Sequence, residues 1–155
     1  MDTSLSGSEL ARSRDRTAEH PGRAWALPTG GHVDASNPSK GGWVGGCMLV
    51  ACTYLHDVAP RGGSTCYFPG SHRAVDQYFQ EHPEQFIDGT FKNSWGFDES
   101  FGENNLAKYM GGEVRPVESV MRAGSVCFAH GLMVHSGMPN AIADTLRVGM
   151  CSRGA

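Results

Sequence analysis

The apolar runs of this chain are short, and turn residues stop nearly every one of them. The longest, Cys47–Leu55 (CMLVACTYL), has the length of a central strand rather than of a packed helix. Ser64–Phe68 is stopped by Pro69-Gly70, and further strand-like stretches cover Ala24–Leu27, 113–121, 125–130, 132–136 and 145–151. With 21 Gly and 8 Pro in 155 residues, this punctuation predicts an all-β fold made of many short strands. One helix is expected, capped by Ser71 and running through about Gln80, with Val75, Tyr78 and Phe79 on one face.

Two regions depart from the strand pattern. Residues 1–24 mix charges with Ser, Thr and Gly and offer only Leu5 and Leu10 as large aliphatics, so a disordered arm is expected ahead of a single domain at 25–155. The stretch 78–109 carries eight of the 14 aromatic residues without a clean period. It is read as an aromatic lid within an insertion at about 74–112.

Composition removes several function classes. A net charge of −3 supplies no basic field for nucleic acid or anionic lipid. No apolar run approaches the roughly 20 residues that span a bilayer. Five cysteines, an odd set without a CxxC pair, read as reduced thiols, mostly in strand-like surroundings, and as a cytoplasmic setting. No GxSxG element or P-loop is present.

Chemistry concentrates at two places. In His32-Val-Asp34 the imidazole and carboxylate fall on one side of a strand while Val33 points to the other. By itself so short a pattern arises by chance. His82-Pro-Glu84, with the same spacing, reads as a solvated surface pair. Far along the chain, His135 follows a strand-like run and precedes Asn140 and Arg147. Two ligands from one strand and a third from its neighbour can occupy one face of an octahedron, the two-His, one-carboxylate set of non-haem Fe(II) oxygenases. His130 is the rival for the third position.

The order His32-Val-Asp34, Leu55-His-Asp57, Gly63-Ser-Thr-Cys-Tyr-Phe-Pro-Gly-Ser-His-Arg73, then Ala123 through His135 to Asn140, then Arg147, resembles the phytanoyl-CoA dioxygenase family. The resemblance implies a double-stranded β-helix, or jelly roll, of the cupin-like kind. It further implies Fe(II) held by His32, Asp34 and His135, with Arg147 on the distal carboxylate of the co-substrate 2-oxoglutarate. A planar guanidinium suits that carboxylate. The implied activity is hydroxylation of a small or lipid-like organic molecule by O2, with release of succinate and CO2. Halogenating relatives replace the carboxylate that Asp34 supplies.

Some features depart from the family. Gly137 occupies the usual place of a 2-oxoglutarate-contacting Ser, leaving Ser136, displaced by one, as the candidate contact. Gly124-Ser125 stands where Gly-Asp is usual, and the interval from His135 to Arg147 is one residue longer. Relatives cover the main sheet with helices ahead of HxD, whereas 31 mostly polar residues precede His32 here. An apolar sheet face is therefore expected near residues 43–55, open to a partner such as a second copy. Two other readings stay open: a jelly-roll metal-binding or interaction protein without turnover, and a cupin-type metalloenzyme independent of 2-oxoglutarate.

Overall fold

The computed structural model describes residues 25–34, 49–87, 94–111, 114–142 and 148–154. Exposure along β2 (Leu49–Tyr54) alternates residue by residue, with Val50, Cys52 and Tyr54 buried, as a half-covered strand requires. β2 lies between β6 (Val126–His130) and β8 (Gly149–Gly154) in a three-stranded antiparallel sheet. A second antiparallel sheet has the order β4 (Ser94–Gly96), β1 (Gly30–His32), β7 (His135–Gly137), β3 (Thr65–Tyr67), β5 (Val117–Glu118).

Inward-facing side chains tie the sheets together. The Tyr54 hydroxyl of β2 donates to Thr65 Oγ1 of β3 at 2.9 Å and accepts the Thr65 backbone N–H at 3.0 Å. The layers thus close around a shared interior, the sandwich arrangement of a jelly roll.

The outer face of the five-stranded sheet is covered by helix α1 (Ser71–Glu81). Its buried residues Ala74, Val75, Tyr78 and Phe79 recur at helical spacing and meet Val33, Phe68, Trp95, Leu106 and Val134. Burying each such large apolar side chain contributes about 1.5–3 kcal/mol before ordering costs are subtracted. The helix starts where expected but for a different reason. Gly70, at φ 89°, occupies the capping position in a left-handed conformation that suits glycine, and Ser71 is already the first helical residue.

The aromatic stretch expected as a lid supplies core and a sheet edge. Trp95 and Leu106 are fully buried, and β4 pairs antiparallel with β1. Short helices α2 (Pro83–Ile87) and α3 (Ala107–Met110), with a 3₁₀ turn at Glu99–Asn104, fold around them. The strand expected at Ala24–Leu27 is irregular over residues 25–27, and pairing begins at Gly30 instead.

The apolar sheet face foreseen beside β2 is present on the three-stranded sheet. Leu49, Val126, Phe128 and Met150 are exposed there, Phe128 by 64%. Residues 1–24, Trp43 and Arg147 lie outside the described residues. Among the described residues, no helix is long and apolar enough to cross a membrane.

Candidate metal centre

β1 and β7 run side by side with His32 directly opposite His135, their rings 4.3 Å apart. Such close approach needs Gly31, because a Cβ there would run into the His135 carbonyl. Val33 turns into the core, 1% exposed, and Asp34 comes back to the side of His32. Asp34 is held by its backbone N–H, which donates to the Gly131 carbonyl at 3.2 Å.

The Asp34 carboxylate bridges the two imidazoles. Its oxygens stand 3.9 Å from His32 Nε2 and 3.6 Å from His135 Nε2. All three donor atoms fall within 4.8 Å of one another. An ion about 2.1 Å from each donor demands donor separations no greater than about 4.2 Å. Both imidazole–carboxylate distances satisfy that limit. Exposure is graded, from 53% for the His32 side chain to 9% for Asp34, so the cluster opens to solvent on the His32 side.

His135 is oriented for ligation. Its Nδ1 lies 3.0 Å from the Met133 carbonyl, and since a carbonyl only accepts, Nδ1 carries the proton. Nε2 is then the lone-pair nitrogen, turned towards Asp34. The strand behind it is clamped by the turn before α1. Phe68 N–H donates to the Val134 carbonyl at 3.0 Å, and Val134 N–H donates to Ser71 Oγ at 2.8 Å. Ser71, fully buried, therefore serves β7 instead of capping its own helix.

Tyr67 on β3 pairs with His135 and brings its ring to 5.9 Å from the imidazole. Among the described residues, its buried hydroxyl has no hydrogen-bond partner in good geometry. Burial first, then the neighbouring Cys52 thiol, pushes the phenol well above its ordinary pKa and keeps it a proton donor. Tyr67 was hidden in the sequence as one letter of a motif. Its usable signal was alternation with Phe68, which is 1% exposed on the opposite, helix-covered side.

Ser136 does not join the cluster. One residue beyond His135, it falls on the other face of β7, near the position a Gly31 Cβ would occupy, and its hydroxyl lies 3.4 Å from the Gly137 carbonyl. His130 accepts the Leu132 N–H at 3.1 Å and packs against His72, with centroids 5.4 Å apart. His82 and Glu84 form an exposed pair at 3.6 Å. A separate cleft of about 540 Å³, lined by Leu27, Phe68, Phe97, Val114 and Arg115 among others, shares no residue with the cluster.

The sequence profile of the phytanoyl-CoA dioxygenase (PhyH) family matches residues 17–147. The chain belongs to that family. Among solved structures it is similar to the non-heme alpha ketoglutarate dependent carbocyclase SnoK from nogalamycin biosynthesis. Identity is 20% over 79% of this chain and 40% of that one, with a TM-score of 0.51. It is also similar to the epimerase SnoN in complex with Fe3+, alpha ketoglutarate and nogalamycin RO, at 21% identity over 84% and 43% of the two chains and a TM-score of 0.44. The PhyH chain spans less than half the length of either structure. The likeness to SnoK shows the jelly-roll fold. No curated protein matches the chain.

Proposed function

We propose that this PhyH-family chain is an Fe(II)- and 2-oxoglutarate-dependent oxygenase in which His32, Asp34 and His135 hold the iron. The convergence of two imidazoles and one carboxylate, with donors within 4.8 Å, is the observation that carries this reading. Hard oxygen and borderline nitrogen donors on one side of the ion, with the other side open, suit iron oxygenase chemistry. When bound, the iron supplies oxidation driven by O2 and by decarboxylation of 2-oxoglutarate to succinate and CO2. The chain's own contribution is positional. Met133 sets the His135 tautomer, Ser71 fixes the strand, and Tyr67 presents a protonated hydroxyl beside the ligands.

Arg147 is proposed to hold the distal carboxylate of 2-oxoglutarate, on the strength of its place in the family motif and of guanidinium–carboxylate chemistry. Hydroxylation is the proposed outcome, since Asp34 fills the place that halogenating relatives leave open. A small or lipid-like organic molecule is the proposed substrate.

Anaerobic titration with Fe(II) and 2-oxoglutarate tests the assignment. A metal-to-ligand charge-transfer band should appear with the wild-type chain and vanish in His135→Ala. Metal binding without that band would replace this reading with a 2-oxoglutarate-independent metalloenzyme. No metal binding would leave a jelly-roll interaction protein.

A further inference from the structure

The three-stranded sheet carries a row of thiols on its inner face. Cys52 of β2 pairs with Cys127 of β6 on one side and with Cys151 of β8 on the other. The Cys52 and Cys151 sulfurs are 2.8 Å apart. Backbone register separates the two neighbours chemically. Leu55 N–H donates to the Val148 carbonyl at 3.0 Å, which marks Leu55–Val148 as a hydrogen-bonded pair. Counting back along the register makes Cys52–Cys151 a non-hydrogen-bonded pair, the type in which Cα atoms lie only about 4.5 Å apart. That falls within the Cα window of about 4.4–6.8 Å that a disulfide spans. The Cys52 backbone groups then point to β6, so Cys52–Cys127 is the wider, hydrogen-bonded kind.

We propose that Cys52 and Cys151 form a reversible disulfide in response to a hydroperoxide, stapling β8 to the sheet. Cys151 is exposed on a strand whose only described partner is β2, whereas Cys52 is 6% exposed. The solvent-facing Cys151 thiolate attacks one peroxide oxygen; the O–O bond breaks, sulfur is oxidised to the sulfenic acid, and hydroxide leaves. The Cys52 sulfur then attacks the Cys151 sulfur, the S–O bond breaks, and hydroxide departs, to be protonated by the Cys52 thiol proton. Two thiols and one hydrogen peroxide become one disulfide and two waters. The hydrogen bond with Cys151 and burial both raise the Cys52 pKa, so Cys52 is not the thiol that peroxide oxidises first. The bond closes a loop between residues 99 apart, long enough for a substantial effect on the unfolded chain.

The test uses the reduced full chain and stoichiometric hydrogen peroxide, read by intact mass, thiol alkylation and peptide mapping. The expected result is a loss of about 2 Da with two fewer alkylatable thiols. A Cys52–Cys151 cross-linked peptide and full reversal by dithiothreitol should accompany it. Cys127→Ser should react as the wild type does, and Cys151→Ser should lose the cross-link. The oxidised chain should melt about 5 °C or more above the reduced one. A cross-link joining Cys52 to Cys127, or sulfinic acid at Cys151 with Cys52 still alkylatable, would overturn the proposal. Wild-type mapping decides the matter even if a variant fails to fold, and none of these readouts requires iron or 2-oxoglutarate.

Discussion

The two sheets of this molecule bury their faces in opposite ways. On the five-stranded sheet the outer face is packed, with Val33, Phe68, Trp95 and Val134 under α1, and the inner face carries His32, Asp34, His135 and Tyr67. On the three-stranded sheet the inner face is a row of thiols and the outer face, with Phe128 64% exposed, is open. Ligand-bearing strands are short and cannot hold their geometry alone, so the packed side carries the positional precision. Adjacent residues of one strand divide the work: Val33 anchors while His32 and Asp34 reach inward, and Val134 anchors behind His135.

The comparison predicts where substitutions will hurt. Trp95→Ala should have the largest effect, a loss of about 3–5 kcal/mol in denaturant unfolding, because the residue is fully buried at the junction of β4 and α1. An effect below about 1 kcal/mol there would mean that α1 does not hold the sheet. His135→Ala should weaken Fe(II) binding by more than about 100-fold, beyond the cost of losing an outer partner of a ligand, while circular dichroism stays native.

Ser71→Ala sharpens the contrast further, since the hydroxyl touches no ligand yet holds Val134 N–H at 2.8 Å. Fe(II) affinity should fall about 10–100-fold, measured by anaerobic titration, with about 1–3 kcal/mol lost in stability. Unchanged affinity with reduced stability would assign Ser71 to folding alone. Phe128→Thr, on the open face, should shift the stability of the isolated chain by no more than about 0.5 kcal/mol. A larger loss, growing with protein concentration in sedimentation, would show that the face is covered in solution.

Much of the site could be read from the chain because its signal is local. His32 and Asp34 share a side through strand alternation, and α1 announces itself by the spacing of Val75, Tyr78 and Phe79. The Gly30-Gly31 pair carries no local strand signal, yet it lies in β1. Gly31 is required by a neighbour 104 positions away, the His135 carbonyl, which leaves no room for a Cβ, and no window of local sequence contains it. The same holds for Trp95: an aperiodic aromatic stretch resembles a loop until α1 is laid across it. Ser136 lies on the face opposite His135, since a shift of one residue in a strand reverses the face.

Ligand type, strand alternation and the helix are properties of residues a few positions apart, whose geometry covalent structure and backbone sterics impose before any folding. The meeting of His135 with His32, the clamp from Ser71, and the choice of Cys151 over Cys127 as the closer neighbour of Cys52 depend on register between distant strands. Register is settled by which faces can be buried together and by which backbone groups pair, and only the assembled sheets contain both.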